Sequence, residues 1–229
     1  MRRKPPDSRS AIFDAAASEF AARGYAATGV DEIARRAGVN KAMIYYHFKS
    51  KDGLYRAILH DVFGSVADRL AQIAAAPGPA HDKIRAAVEA IASAAGARPH
   101  FPSMMAREIA EGGTHLDRQT RHVMLRVFEG LTTILVEGRE SGEFRPVNPA
   151  LMYFTIVAPL IFFLASVRVR ALLKDELLRT ARAAAVRVAM PPDDLASMLA
   201  HHQAAIAFML QPASVHQATR RRGPGPRAG

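Results

Sequence analysis

The feature that most constrains this chain is a set of closely spaced helix boundaries between Gly24 and Lys51. Ahead of it, Ile12, Ala15, Ala16 and Phe20 recur at helical spacing behind the cap candidates Ser8 and Ser10, and the pattern stops at Gly24. Thr28, followed three residues later by Asp31, reads as a capping box opening a second helix with the apolar stripe Val30, Ile33, Ala34 and Ala37. Gly38 closes that helix, and Asn40 is the natural cap of a third, Lys41 to His47. Ser50 caps a fourth, longer one that carries Leu54, Tyr55, Ile58, Leu59, Val62, Phe63 and Val66 on one side. Two helices this short, joined by a Gly-containing turn, cannot bury a core alone. They are the elements of a helix-turn-helix braced by its neighbours.

Beyond the break PGPA at 77–80 the periodicity stays helical and the chain reads as all-α. Helices are expected at about 80–97, 101–112, 115–141, 148–173, 174–189 and 193–211, with SGEFRPVNP at 141–149 as the clearest loop. The expected organisation is a helix-turn-helix head at 1–51, a helical body at 52–212 and a basic, disordered tail at 213–229. Residues 1–7 read as a disordered basic arm.

The charge is unevenly placed. Residues 1–60 carry 11 Lys/Arg against 6 Asp/Glu, the stretch 61–212 carries 16 against 15, and 213–229 carry 4 against none. A basic end on a neutral body points to a polyanion that meets the end only. The absence of Cys removes disulfides, thiolate chemistry and Cys-ligated zinc, and it fits a reducing cytoplasm. The 22 uncharged residues 146–167 are long enough to suggest a membrane span. They contain Asn148, Pro149 and Pro159, and a helix apolar all round equally suits a core or a subunit interface, so no membrane partner is expected.

The third helix carries the chemistry. Lys41, Tyr45, Tyr46 and His47 set a cation and three hydrogen-bonding rings within two turns, and Lys49 and Lys51 follow. Such groups contact phosphate oxygens, and a helix N-terminus offers further N–H donors. Ala42 and Met43, near that N-terminus, are placed to touch base edges or thymine methyls. Taken singly, Tyr45, Tyr46 or His47 would read as an ordinary core or surface residue. The set at fixed spacing does not.

The segment resembles the DNA-binding domain of the tetracycline-repressor (TetR) family. The landmarks are Gly24-Tyr25, Thr28, Ile33-Ala34, Ala37-Gly38-Val39, Tyr45, His47-Phe48 and Lys49-Ser50-Lys51. The resemblance implies that Lys41, Tyr45, Tyr46, His47 and Lys51 contact duplex DNA, that Thr28 and Asn40, at helix starts, belong to the same DNA-binding set, and that Ile44 and Phe48 are core. Two departures stand out. Gly29 replaces a customary hydroxyl residue, and Ala42 replaces a common Gly, which bears on the operator sequence.

The resemblance further implies a helical body that binds a small effector and forms a homodimer through two long helices. Leu151, Phe154, Ile161 and Phe162 on one helix, with Leu195, Met198, Leu199, His202, Ile206 and Met209 on the last, are the expected interface. Met104, Met105, Arg107, Glu108, His115, His122, Phe128, Phe154 and Phe163 are the expected effector contacts, with an apolar or amphipathic molecule fitting them best. His115 and His122, seven apart, are expected to share a helix face, without the spacing of a metal site. No metal, cofactor or catalytic constellation is expected. The implied machine is a repressor, by the family's habit, whose near-palindromic operator is released when effector shifts the fourth helix. An architectural DNA binder without sequence preference and a membrane-associated helical protein are the rival readings.

Overall fold

In a computed structural model, residues 8–183 and 194–212 are described. The basic arm, the tail with its arginines and the expected Pro191-Pro192 break lie outside them. Ten helices are formed by the described residues: α1 (Ser8–Ala27), α2 (Val30–Ala37), α3 (Lys41–Phe48), α4 (Lys51–Ala75), α5 (Ala80–Gly96), α6 (Phe101–Ala110), α7 (Arg118–Glu140), α8 (Pro149–Ala165), α9 (Val167–Ala183) and α10 (Leu195–Leu210). The all-α expectation holds, with an N-terminal helix-turn-helix and a helical C-terminal body.

Local signals set most boundaries. Gly24 breaks the regular run of α1 at φ 80°, and Gly38 closes α2 in the left-handed region at φ 67°. Asn40, Ser50, Asp117, Asn148 and Asp194 cap α3, α4, α7, α8 and α10 through side-chain oxygens. The Thr28–Asp31 capping box does not form. Gly29 is the N-cap of α2 and supplies no side chain, while the Thr28 hydroxyl donates to the Gly24 carbonyl at 2.7 Å.

The buried residues divide into two clusters along α4. Leu54, Tyr55, Ile58, Leu59 and Val62 join Ile12, Ala16, Phe20, Ile33, Ile44 and Phe48 in the head. Val66, Leu70 and Ile73 join Ile84, Val88, Leu131, Ile134, Ile156 and Leu160 in the body. The long helix therefore belongs to both cores. A half-buried ion pair braces the body where the buried Lys83 on α5 donates to Glu137 on α7 at 2.6 Å and to the Ala74 carbonyl at 3.1 Å.

The expected 148–173 helix is two. The chain turns at Ser166, and the segments on either side are bent by 64°. Arg170 reaches back to the Phe163 carbonyl and the Ser166 hydroxyl, which closes the end of α8. Serine is no helix breaker, so periodicity carried the expected helix past it. The start of the expected 174–189 helix is likewise displaced, because α9 already begins at Val167, and 184–189 lie outside the described residues. Among the described residues no single helix is long and apolar enough to cross a membrane.

Candidate nucleic-acid interface

The candidate recognition element is α3. Asn40 Oδ1 accepts the Ala42 N–H at 2.9 Å, which fixes where the helix starts. Ile44 and Phe48 are buried and pin one side of the helix to the head core. That pinning turns Lys41, Ala42, Tyr45 and Tyr46 outward, with Tyr46 70% exposed and Tyr45 43%. Two adjacent phenols, each able to donate and accept a hydrogen bond, are thus presented to solvent. The Lys41 ammonium meets Asp31 of α2 at 2.8 Å, and this hydrogen-bonded carboxylate raises its pKa. Lys41 therefore stays fully charged on the outward side of α3.

The remaining expected contacts are more constrained. His47 is half-buried, with Nε2 3.0 Å from the Ser8 hydroxyl, so its outer edge alone is available. Met43 is partly buried against the head core and offers a base edge only its tip. The Lys51 ammonium lies 4.2 Å from the centroid of the Tyr25 ring, a cation–π contact. Thr28, also expected at the DNA, is turned inward. It is 1% exposed, its hydroxyl is spent on Gly24, and its N–H donates to the Tyr25 carbonyl.

The junction between α3 and α4 has no slack. Lys49 sits at φ 69°, ψ −39°, and the Ser50 N–H donates to the Phe48 carbonyl at 2.8 Å. This is a γ-turn of the positive-φ kind, rare and strained for a side chain with a Cβ. A Cβ on Gly53 would stand 2.1 Å from the Phe48 carbonyl oxygen, so only glycine lets α4 approach this closely. The strained residue is a lysine that directly follows α3.

Behind the interface lies a polar aromatic seam. The Tyr25 hydroxyl donates to Asp52, and burial followed by that bond pushes its pKa up to about 12. Tyr55 donates to Glu108 at 2.8 Å, and burial and the carboxylate together raise its pKa well above the usual phenol range. Glu108 is fully buried and also accepts the His115 N–H at 2.8 Å, with His115 Nδ1 3.0 Å from its other oxygen. Arg107 donates to the Ala21 and Ala22 carbonyls at 3.2 and 3.0 Å.

The nine expected effector contacts are thus not gathered round one cavity. Arg107, Glu108 and His115 join head to body. Met104 and Met105 are buried in the head core, because α6 packs against α1 and α8. His122 is exposed in a shallow surface recess with Asp117, Arg118 and Gln119. It lies on α7 while His115 lies in the turn before it, so the two do not share a helix face. Phe163 is covered by the Arg170 guanidinium at 3.6 Å, and Phe154 is exposed. Phe128 remains half-buried in edge contact with Tyr153 at 5.7 Å.

The expected dimer residues also separate. Leu151, Phe154 and Phe162 project outward from α8. Ile161, His202 and Ile206 instead face the monomer's own core, His202 with Nε2 3.0 Å from the Ile156 carbonyl. Leu195, Met198, Leu199 and Met209 pack against the body core. The outward side of α10 carries Ser197, Ala200, His201, Ala204 and Phe208, the last 75% exposed. The three-and-four periodicity of large apolar residues marked the inner side of α10. Ala and Ser on the outer side gave no signal.

With this geometry in place, residues 12–58 match the family described as bacterial regulatory proteins, tetR family, and residues 81–201 match the tetracyclin repressor-like C-terminal domain. The HTH-type transcriptional activator FasR of Mycolicibacterium smegmatis is 44% identical over 89 residues, 38% of this chain and 41% of that protein, so that match spans under half of the relative. A fatty acid metabolism regulator protein of Bacillus subtilis is 25% identical over 145 residues, 63% of this chain and 74% of that one. The solved ketosteroid transcriptional regulator KstR2 of Mycobacterium tuberculosis superposes with a TM-score of 0.67 at 18% identity, covering 92% of this chain and 98% of that chain. At that identity the likeness is one of fold.

Proposed function

This chain belongs to the TetR family of bacterial regulatory proteins, and on that premise we propose that it is a homodimeric, cytoplasmic repressor, without catalytic activity, that binds a near-palindromic operator and releases it on binding a small apolar or amphipathic effector. The observation that carries the reading is the outward face of α3. Lys41, Tyr45 and Tyr46 stand exposed on a capped helix whose other side, Ile44 and Phe48, is locked into the core. Two such helices, about 34–36 Å apart in a dimer, match successive major grooves. The organisation is a head at 1–51, a body from 52 that shares α4 with it, and a basic tail at 213–229.

Dimerisation is assigned to the outward faces of α8 and α10, where Leu151, Phe154, Phe162 and Phe208 would be covered by a second copy. The small residues Ala200 and Ala204 allow two helices to approach closely there. For the effector we favour the α7–α8 side of the body. The Thr132 hydroxyl is buried without a hydrogen-bond partner one turn from Phe128, which packs on Tyr153. A lipid-like molecule suits these rings, and the Bacillus subtilis relative named for fatty acid metabolism supports that class.

The test is selection from a random duplex library at about physiological salt. A near-palindromic consensus is expected. Lys41→Ala and Tyr45→Phe should each weaken binding to it while the dimer persists. Retention without a consensus would mean an architectural binder, and wild-type binding by both variants would remove α3 from the interface.

A further inference from the structure

α6 ends on two glutamates one turn apart, Glu108 and Glu111, and the chain beyond it doubles back. Gly112 and Gly113 both stand at positive φ, 74° and 76°, a pairing that glycine takes without strain. The turn they make returns His115 to the side of both carboxylates. His115 Nδ1 lies 3.0 Å from Glu108 Oε2 and 3.8 Å from Glu111 Oε2. One ligand atom from each of the three residues falls within 4.8 Å of the other two. A tetrahedral ion with bonds of about 2.0–2.1 Å to nitrogen and oxygen holds its donors about 3.3–3.4 Å apart. The three atoms already stand on that scale.

The charges lean the same way. Among the described residues, neither glutamate forms an ion pair with a lysine or arginine, and the ion-pair partner of both is His115. Arg107, beside them in sequence, donates instead to the carbonyls of Ala21 and Ala22. Two carboxylates, one of them fully buried, therefore face at most one positive charge, and a buried carboxylate without a counter-charge is costly. The Tyr55 hydroxyl donates to Glu108 Oε2 and the His115 N–H to Oε1, each at 2.8 Å. These bonds fix the carboxylate without neutralising it, as outer-shell bonds do for a metal ligand. The Tyr25 ring packs on the imidazole with centroids 4.0 Å apart, while Glu111, 43% exposed, leaves a way in from solvent. We propose that Glu108, Glu111 and His115 form a site for a divalent cation of the zinc class, with water completing its coordination. Mixed imidazole and carboxylate donors suit zinc and its first-row neighbours, whereas magnesium prefers an octahedron of oxygens. With the ion bound, Nδ1 presents its lone pair and the ring proton sits on Nε2. The site goes beyond the regulator reading and does not depend on it.

The test uses the full chain, stripped with EDTA and dialysed into metal-free buffer, without DNA or effector. Zinc binding is measured by competition with a chromophoric chelator. Cobalt(II) is added separately for its visible d–d absorption, which is far stronger from a four-coordinate ion than from a six-coordinate one. One tightly held zinc per chain is expected, in the micromolar range or below, with a thermal midpoint that rises with zinc concentration. Glu111→Gln and His115→Ala should each weaken binding by about tenfold or more and remove the cobalt band. Glu111 is exposed, so its variant should keep the metal-free midpoint, and a folded chain that no longer binds separates loss of a ligand from loss of the fold. His122→Ala, outside the cluster, should bind zinc like the wild type, and millimolar magnesium should not displace the ion. No zinc binding by the wild type tighter than millimolar would overturn the site. So would wild-type affinity in both Glu111→Gln and His115→Ala, or equal displacement by magnesium.

Discussion

α3 and α10 are built on the same plan and face different worlds. Each is capped by a side-chain carboxyl or amide oxygen, and each buries one stripe against the chain's own core. On α3 the opposite side carries Lys41, Tyr45 and Tyr46, long polar groups projecting into solvent. On α10 it carries Ser197, Ala200, Ala204 and Phe208, a low surface with one apolar knob. The first suits a polyanion approached through phosphate and base-edge contacts. The second suits a copy of the same helix packed closely about a two-fold axis. The outward side of a helix, once the inward side is known, is what names the partner.

The largest way to break this contrast is to unseat α3 without touching its outward residues. Gly53→Ala places a methyl 2.1 Å from the Phe48 carbonyl oxygen, and the neighbour is backbone that cannot swing aside. Overpacking of this kind costs about 1–3 kcal/mol, and the strained Lys49 turn leaves little room to relax. Operator binding should be lost while sedimentation still reports a dimer, because α10 is remote from the joint. If binding survives, α3 is not held by this joint in the way its geometry implies.

The second break addresses the other face. Phe208→Glu puts a charge where two copies would meet, and desolvating an unpaired carboxylate is expensive. Sedimentation at micromolar concentration should report monomers, and operator affinity should fall with dimerisation although every α3 residue is intact. A dimer that persists would move the interface to the α8 face alone, on Leu151, Phe154 and Phe162.

How much of this was legible in the sequence follows from the range of each interaction. Asn40, Gly38 and Ser50 act on backbone within a few residues, so their roles could be read directly. Thr28 could not be, because a threonine at a helix start can cap forward or bond backward, and the break at Gly24 decides for the latter. The contacts of Arg107 and Glu108 with the head were out of reach altogether. Tyr55 and Glu108 are 53 residues apart and Arg107 and Ala21 are 86 apart, and nothing in either segment points to the other. Phe208 escaped notice because its neighbours on that face are alanine and serine.

A smaller effect tests whether the body's loops are braced as firmly as the head's. Glu143 accepts the N–H groups of Ala80 and His81 at the start of α5, and these donors with the His81 ring lower its pKa to about 2. A carboxylate depressed in the fold contributes stability above its unfolded pKa, and that contribution is lost as pH falls toward the folded value. The wild type should therefore lose stability between about pH 4.5 and 2 partly through this group. Glu143→Gln should flatten that limb and leave operator binding at neutral pH unchanged. An identical acid limb in the two proteins would show that the cap contributes nothing measurable.

The smallest effect sharpens the account of the head. Gly29 begins α2 at φ −89°, ψ 145°, ordinary N-cap geometry, with no side chain to accept a hydrogen bond. A Cβ there meets nothing within 4 Å, and Thr28 cannot substitute because its hydroxyl is committed to Gly24. Gly29→Ser should raise stability by a few tenths of a kcal/mol, seen as a small rise in thermal midpoint. If this N-terminus also abuts a phosphate, as the family pattern implies, operator affinity should rise a few-fold with the salt dependence unchanged, since a neutral hydroxyl releases no counterion. Lys41→Ala, by contrast, should lower the salt slope by about one. A rise in midpoint without a rise in affinity would confine the missing hydroxyl to the fold and leave α3 as the main reader of the operator.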